Sequence, residues 1–311
     1  MAEPLPRTGA VVLNWRRADL TERCLQDLLA VADVPLAVLV IDNGSGDADV
    51  ASLRAAVAAA NARGGMHTVE LAALPENRGF AGGMNHGIGW AAAAGLPFVL
   101  LLNNDLRLPA DFLRPLVAAL QNDPRIAAIG PTVLSPGGRV WAEGGRRAFV
   151  PNGLVLQRAG RAPAPRERGP EAVGFLPCAC VLFRTAAVAA AGAFDDGYFM
   201  YWEDVDLCER LRARGSTIVW LPWVRVEHLG GQSAGGGRSP ARKFLMACNA
   251  VRFLRARGSF TAWLAWACCD VLLWPLSLLG GVRGAWAKAC GTWAGLRGHR
   301  ASAADVARWH A

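Results

Sequence analysis

Three carboxylates fall within four residues at Glu203-Asp204-Val205-Asp206, directly after the aromatic run Tyr198-Phe199-Met200-Tyr201-Trp202. An acid held beside such a wall is desolvated, which raises its pKa towards the range of a general base. Acids at a helix start also complement the macrodipole, and that plainer role accounts for one or two of the three. A further carboxylate, Asp105, ends the run Leu100-Leu101-Leu102-Asn103-Asn104. Magnesium or manganese on a diphosphate takes few protein carboxylates, so one placed Asp suffices; a simple turn Asp is the alternative. Leu39-Val40-Ile41 ends likewise in Asp42-Asn43-Gly44-Ser45-Gly46-Asp47, where an Asp can meet a ribose or base and Gly permits close approach. Ordinary Asx turns account for either cluster alone, whereas two clusters at two strand ends favour a site. Asn77-Arg78-Gly79-Phe80-Ala81-Gly82-Gly83 adds a Gly-rich loop entering a helix, whose free backbone N–H groups, with Arg78, offer a phosphate cradle. This is neither a Walker loop nor a dinucleotide fingerprint. His228, before Leu229-Gly230-Gly231-Gln232-Ser233, suits a metal or diphosphate contact, although a lone His is commonly structural.

The elements that must present these groups follow from apolar patterning. Val11–Trp15 and Leu36–Ile41 are strand-like, and Asp19–Val31 between them carries Leu20, Cys24, Leu25, Leu28 and Leu29 on one helical stripe. A strand–helix–strand unit at this spacing implies a parallel sheet covered on both faces. Ala48–Ala62, Gly82–Ala94 and Asp111–Gln121 read as further helices, and Thr68–Leu71 and Phe98–Leu102 as strands. The alternation fades near residue 135, residues 136–170 read as loop, and Phe175–Phe183 restores apolar order. Asp204–Arg214 is a helix stopped by Gly215, followed by a strand at Ile218–Leu221. The Gly-rich Gly230–Gly237 marks a boundary, giving a catalytic unit at 8–240 and an extension at 241–311.

Six segments in order resemble family 2 glycosyltransferases, in particular the bacterial rhamnosyltransferase-like branch. They are Val12-Leu13-Asn14-Trp15, Val40–Ser45, Asn77–Gly83, Leu102–Asp105, Phe199–Leu207 and His228–Ser233, and the resemblance covers residues 11 to about 257. The resemblance implies an α/β nucleotide-diphospho-sugar transferase fold of the A type, with a mostly parallel central sheet flanked by helices. It implies inversion at the anomeric carbon and a divalent metal, Mg2+ or Mn2+. Asp204 would be the general base, and Tyr201, Trp202, Glu203 and Asp206 would line the acceptor pocket. Asp105, in the family's D-x-D position, and His228 would hold the metal. Asn14, Asp42, Asn43, Asp47, Asn77, Arg78, Gly79, Asn103 and Asn104 would face the donor. Asn103 departs from the pattern, since many relatives carry Asp there. The expected partners are a nucleotide-diphospho-sugar and a glycan or polyprenyl-linked acceptor of cell-envelope polysaccharide synthesis.

Composition points the same way. The charge of +8 lies wholly in the tail, because residues 1–240 balance at 23 basic and 23 acidic while 241–311 carry 10 basic residues against Asp270 and Asp305. Six of the 12 Trp residues also lie there. Positive charge interleaved with indole suits an anionic membrane surface rather than nucleic acid, since apolar residues outnumber basic ones in that tail. Phe260–Leu279 is long enough to span a bilayer, yet Asp270 and Pro275 interrupt it, so a helical pair lying on the membrane or partly embedded in it is expected, the alternative being a helical extension packed on the catalytic domain. No signal peptide is visible in MAEPLPRTGA, so the catalytic portion is expected to face the cytosol, peripheral to the inner membrane face. The eight cysteines read as buried free thiols. A nucleotidyltransferase would need a Gly-rich loop after the first strand, where Asn14-Trp15-Arg16-Arg17 has none. A non-catalytic sugar-nucleotide-binding subunit would have lost Asp105 or Asp204.

Overall fold

The computed structural model describes residues 5–149, 153–230, 239–272 and 274–310. Gly231, Gln232 and Ser233 of the motif after His228 lie outside them, as does most of the Gly-rich boundary. The first half alternates β1 (Thr8–Asn14), α1 (Ala18–Leu29), β2 (Leu36–Asn43), α2 (Asp47–Ala62), β3 (Thr68–Leu74), α3 (Gly79–Ala93) and β4 (Phe98–Asn103). Pairs β1–β2, β1–β4 and β2–β3 are parallel, as continuous apolar strands joined by helices require. Successive residues feed opposite faces: Val11, Leu39, Ile41 and Leu101 join one core, Ala10, Val12, Val40 and Leu102 the other.

Beyond β5 (Leu106–Arg107) and α4 (Leu113–Asn122), β6 (Ile126–Leu134) is a strand not among those expected. Its Gly130-Pro131 pair is a turn signal in isolation, but burial between two neighbouring strands overrides it. Residues 136–170 are also less irregular than expected, for they contain β7 (Val140–Ala142), β8 (Gly145–Ala148) and β9 (Gly153–Leu156). Next come β10 (Glu171–Ala172), β11 (Cys180–Arg184), α5 (Thr185–Ala190), α6 (Glu203–Ala213) and β12 (Thr217–His228). The main sheet runs β10-β12-β6-β11-β4-β1-β2-β3. The insertion of β11 antiparallel to both β4 and β6 reverses direction at mid-sheet, while β6 and β12 pair in parallel. Parallel register still dominates. The last strand is longer than the expected Ile218–Leu221, since it resumes pairing with β6 at Arg225 after a break at Pro222-Trp223-Val224 and ends at His228.

The tail holds α7 (Pro240–Arg257), α8 (Phe260–Trp266), α9 (Val282–Leu296) and α10 (Ala303–His310). The boundary expected at 240 divides no core: Val251, Phe253 and Leu254 of α7 are buried in one cluster with Tyr198 and Trp202. Among the described residues no single helix is long and apolar enough to cross a bilayer. Phe260–Leu272 and Trp274–Gly280 reach that length together but bend by 50°. Phe260, Leu264, Leu272, Leu276 and Leu279 are exposed on this stretch, as is Val282 at the start of α9. Asp270 accepts from Trp266 Nε1 at 3.0 Å and pairs with Lys288 at 2.5 Å. All eight cysteines are free; five are buried, while Cys268 is exposed and Cys269 and Cys290 are half-buried.

Candidate active site

The polar residues at the ends of β1, β2 and β4 form one hydrogen-bonded chain. Asn14 Nδ2 donates to Asp42 Oδ1 at 2.8 Å, and Thr21 Oγ1 donates to Asn14 Oδ1 at 2.7 Å. Asn104 Nδ2 in turn donates to Thr21 Oγ1 at 2.9 Å. Thr21 therefore takes an inward position on α1, while Leu20 is only half-buried. The other oxygen of Asp42 accepts from the Ser45 backbone at 3.0 Å, tying down the turn after β2. Asn14, Asp42 and Asn43 are all buried. Such a network costs little only when its members satisfy one another, so it sets these groups rigidly at the carboxyl edge of the sheet. Asp47, at the exposed start of α2, stands outside it.

The Gly-rich loop corrects one expectation. Three of its backbone N–H groups are not free for a phosphate: Arg78 N donates to Asn43 Oδ1 at 3.0 Å, and Gly79 N to Asn77 Oδ1 at 2.8 Å. Ala81 N is taken by the Phe199 carbonyl at 3.2 Å. These acceptors satisfy two of the orphan donors, those of Gly79 and Ala81, at the start of α3, which begins at Gly79 rather than Gly82. Gly79 has φ +70°, and a Cβ there would collide with the Phe199 carbonyl and ring. Asn77 and Gly79 thus dock the loop onto the aromatic segment, while the Arg78 side chain is exposed.

A cavity of 970 Å³ opens beside this edge, lined by Asn103, Asp105, His228, Tyr201, Trp202, Glu203 and Asp204. Pairing of Leu106 with His228 across β5 and β12 brings two distant residues together. His228 Nε2 lies 3.1 Å from Asp105 Oδ1 and 3.4 Å from Asn103 Nδ2. Both Asp105 and His228 are buried, and the His228 ring packs 4.9 Å from Trp141. Nδ1 of His228 is buried and has no partner among the described residues. Among the described residues no cluster of three or more His, Cys, Asp or Glu forms a complete metal cage. The pair nonetheless fits a metal shared with a diphosphate: two adjacent corners of an octahedron drawn at about 2.1 Å stand about 3 Å apart.

Across the cavity, α6 opens at Glu203 directly after Trp202, which has φ +76°. Phe199 and Tyr201 also have positive φ, at +61° and +72°. Three strained residues this close need outside support. Buried Asn249 of α7 supplies it, its Nδ2 lying 2.8 Å from the carbonyls of Tyr198 and Met200 and 3.0 Å from that of Tyr201. Asn249 was invisible to sequence reasoning, since it lies 48 to 51 residues from its partners inside an unremarkable helix. Trp141, hidden within the presumed loop, was likewise missed. Trp202 packs against Phe149 at 5.8 Å and Phe253 at 5.1 Å.

Burial pushes the Asp204 carboxyl up to about 6, against backbone N–H groups of Val205 and Cys178 that pull it down. Glu203 is driven well above the usual carboxylate range, first by burial and then by the Asp204 charge beside it. Two adjacent acids resist ionising together, and of this pair the more deeply buried Glu203 is the harder to ionise. Asp206, expected in the acceptor pocket, is instead buried in an ion pair with Arg210 at 2.8 Å and Arg257 at 2.5 Å. One helical turn separates Asp206 from Arg210, so its charge turns away from the cavity and ties α6 to α7.

Known proteins can now be set beside this geometry. The model of glycosyl transferase family 2 matches residues 10–190. An N-acetylglucosaminyl-diphospho-decaprenol L-rhamnosyltransferase of Mycobacterium tuberculosis is 31% identical over 262 residues, covering 78% of this chain and 80% of its own. The mannosyltransferase PcManGT from Pyrobaculum calidifontis, solved with GDP-Man and Mn2+, superposes with a TM-score of 0.57 at 14% identity, covering 94% of this chain and 87% of that one. GalNAc-T7, solved with UDP, GalNAc and Mn2+, gives 0.59 at 15% identity over 81% of this chain and 48% of its own. These structures share the A-type fold. With its family match across most of the sheet and a rhamnosyltransferase relative over most of its length, the chain belongs to glycosyl transferase family 2 and is a rhamnosyltransferase-like glycosyltransferase.

Proposed function

We propose that this enzyme is an inverting, metal-dependent transferase that moves a sugar, rhamnose by its relative's specificity, from a nucleoside-diphosphate donor to a hydroxyl of a polyprenyl-diphosphate-linked glycan. The observation that carries the reading is a single cavity lined by both the Asp105–His228 pair and Glu203-Asp204. Asp204 takes the proton of the acceptor hydroxyl while its oxygen bonds to the anomeric carbon, and the bond to the nucleoside diphosphate breaks with both its electrons. Attack from the face opposite the leaving group inverts the centre, and no sugar–enzyme bond forms. The buried Asn14–Asp42–Asn43 network would fix the sheet edge against which the nucleoside end lies, and Asp105 with His228 would hold the metal. When bound, a divalent ion neutralises charge on the departing diphosphate. The rigid Phe199–Trp202 segment keeps water away from the base. The exposed apolar and basic tail would lay the enzyme on the cytoplasmic face of the membrane, where a lipid-linked acceptor is found.

The test is a screen of nucleotide sugars, reading nucleoside diphosphate release with Mn2+, Mg2+ or EDTA in the presence of a prenyl-diphosphate-linked acceptor. One donor should be cleaved only with metal, and Asp105→Ala should abolish cleavage. If no donor is cleaved and none shifts the thermal unfolding midpoint, the reading falls.

A further inference from the structure

The same cavity is walled in part by the tail, through Arg242, Lys243, Leu276, Gly280 and Lys288. Charge therefore divides within it. Among the described residues, Asp105, Glu203 and Asp204 line the sheet side, while Arg242, Lys243 and Lys288 line the tail side together with Asp270. Lys243 lies over the start of α9: a Cβ at Gly284 would stand 2.5 Å from its Nζ, and one at Gly280 3.0 Å. Gly284 and Lys288 are one helical turn apart, so both ammonium-bearing side chains meet the same face of α9. Lys288 is paired with Asp270. Half-buried Lys243 donates to the Gly280 carbonyl at 3.3 Å and pairs with no carboxylate among the described residues. An ammonium has three donors, so this one retains capacity for an anion. Arg242 stands 5.6 Å over the Tyr201 ring, joining this wall to the segment that carries Glu203-Asp204.

The wall has an apolar continuation. Leu276 lines the cavity and is also 59% exposed, and its neighbours Leu272 and Leu279 are 71% and 89% exposed. A free phosphate would use the cations but gain nothing from that rim. An amphiphile whose phosphates join directly to a hydrocarbon chain would use both. We propose that the tail wall is a subsite for the diphosphate of a lipid-linked acceptor. Lys243 and Lys288 hold the phosphate oxygens, and Leu272, Leu276 and Leu279 take the first part of the chain. This rests on the glycosyl-transfer reading and adds to it the direction in which the acceptor lies, with its sugar towards Asp204 and its lipid towards the tail.

The experiment measures equilibrium binding to the full chain, without turnover, of three probes: farnesyl diphosphate, inorganic diphosphate and a nucleoside diphosphate. Lys243→Met and Lys288→Met remove charge while keeping an apolar stem. Farnesyl diphosphate should bind at least tenfold more tightly than inorganic diphosphate, and each substitution should weaken it about tenfold. Nucleoside diphosphate affinity should stay within about twofold in both variants, yet fall in Asp105→Ala, which should leave farnesyl diphosphate unaffected. If Lys288→Met destabilises the tail, Lys243→Met carries the test alone. Unchanged farnesyl diphosphate binding in Lys243→Met overturns the proposal. So does parallel loss of the nucleoside diphosphate, which would assign the cations to the donor. Failure of the glycosyl-transfer reading shows separately, as absent donor cleavage in the screen above.

Discussion

At the residue scale, the proposed mechanism turns on a carboxylate, Asp204, that burial makes more basic. With Asp204 raised to about 6, the rate should climb with pH below that value and level off above it. Asp204→Asn should cost about 10²–10⁴ in kcat, read in the donor-cleavage assay. The same shift has a sign in stability. A carboxyl whose folded pKa is raised above its ordinary 3.8 favours the fold fully below that value, and the benefit is lost as pH rises through about 6. Asp204→Asn should therefore stabilise the protein at about pH 7.5, by on the order of 1–3 kcal/mol, and the gain should vanish near pH 4. Thermal unfolding at both pH values reads this directly. A variant inactive yet less stable at neutral pH would contradict the assignment. Asp206, three carboxylates' last member, behaves oppositely. Asp206→Ala leaves Arg210 and Arg257 without their partner and should lower stability by about 3–5 kcal/mol, measured in denaturant. Sequence could place Asp105 and Asp204 at element ends because apolar runs point to them. It could not separate Asp204 from Asp206, because one of the two arginines that claim Asp206 lies 51 residues away.

At the element scale, the segment before α6 is strained backbone held by a neighbouring helix. One Asn249 amide serves three carbonyls, so Asn249→Ala should cost about 1–3 kcal/mol of stability. Loosening the segment admits water beside Asp204, and the acid limb of the pH–rate profile should move below about 6. A purely structural Asn249 would lower the unfolding midpoint and leave that limb in place. Helices and strands of the first half were legible to within a few residues, because strands buried on both faces write continuous apolar runs. The exceptions are strands whose burial comes from partners far along the chain. Gly130-Pro131 in β6 reads as a turn until β11 and β12 enclose it, and β7, β8 and β9 are short pieces in a stretch rich in Gly, Pro and Arg.

At the scale of the whole molecule, the tail is continuous with the catalytic body. A chain ending at residue 239 would expose the Tyr198–Trp202 face of the core that α7 covers, and should not give a cooperative unfolding transition. The full chain should bind vesicles containing anionic lipid, less so as salt rises, in a sedimentation assay. Loss of that binding on replacing Leu272 and Leu279 with Ser would locate it in the exposed apolar stretch. Local sequence by itself determined the sheet's parallel half, the carboxylates at its edge, the aromatic segment before the acids and the charge of the tail. These depend on periodicity and on residues adjacent in the chain. Tertiary structure alone decided that Asp105 meets His228, that three of the Gly-rich loop's amides are spent internally and that Asn249 holds the strained segment. It also brought Lys243 and Lys288 to the catalytic cavity. Each of those is a contact between residues far apart in sequence, and such contacts leave no local pattern because their energy is gained only once the core has closed.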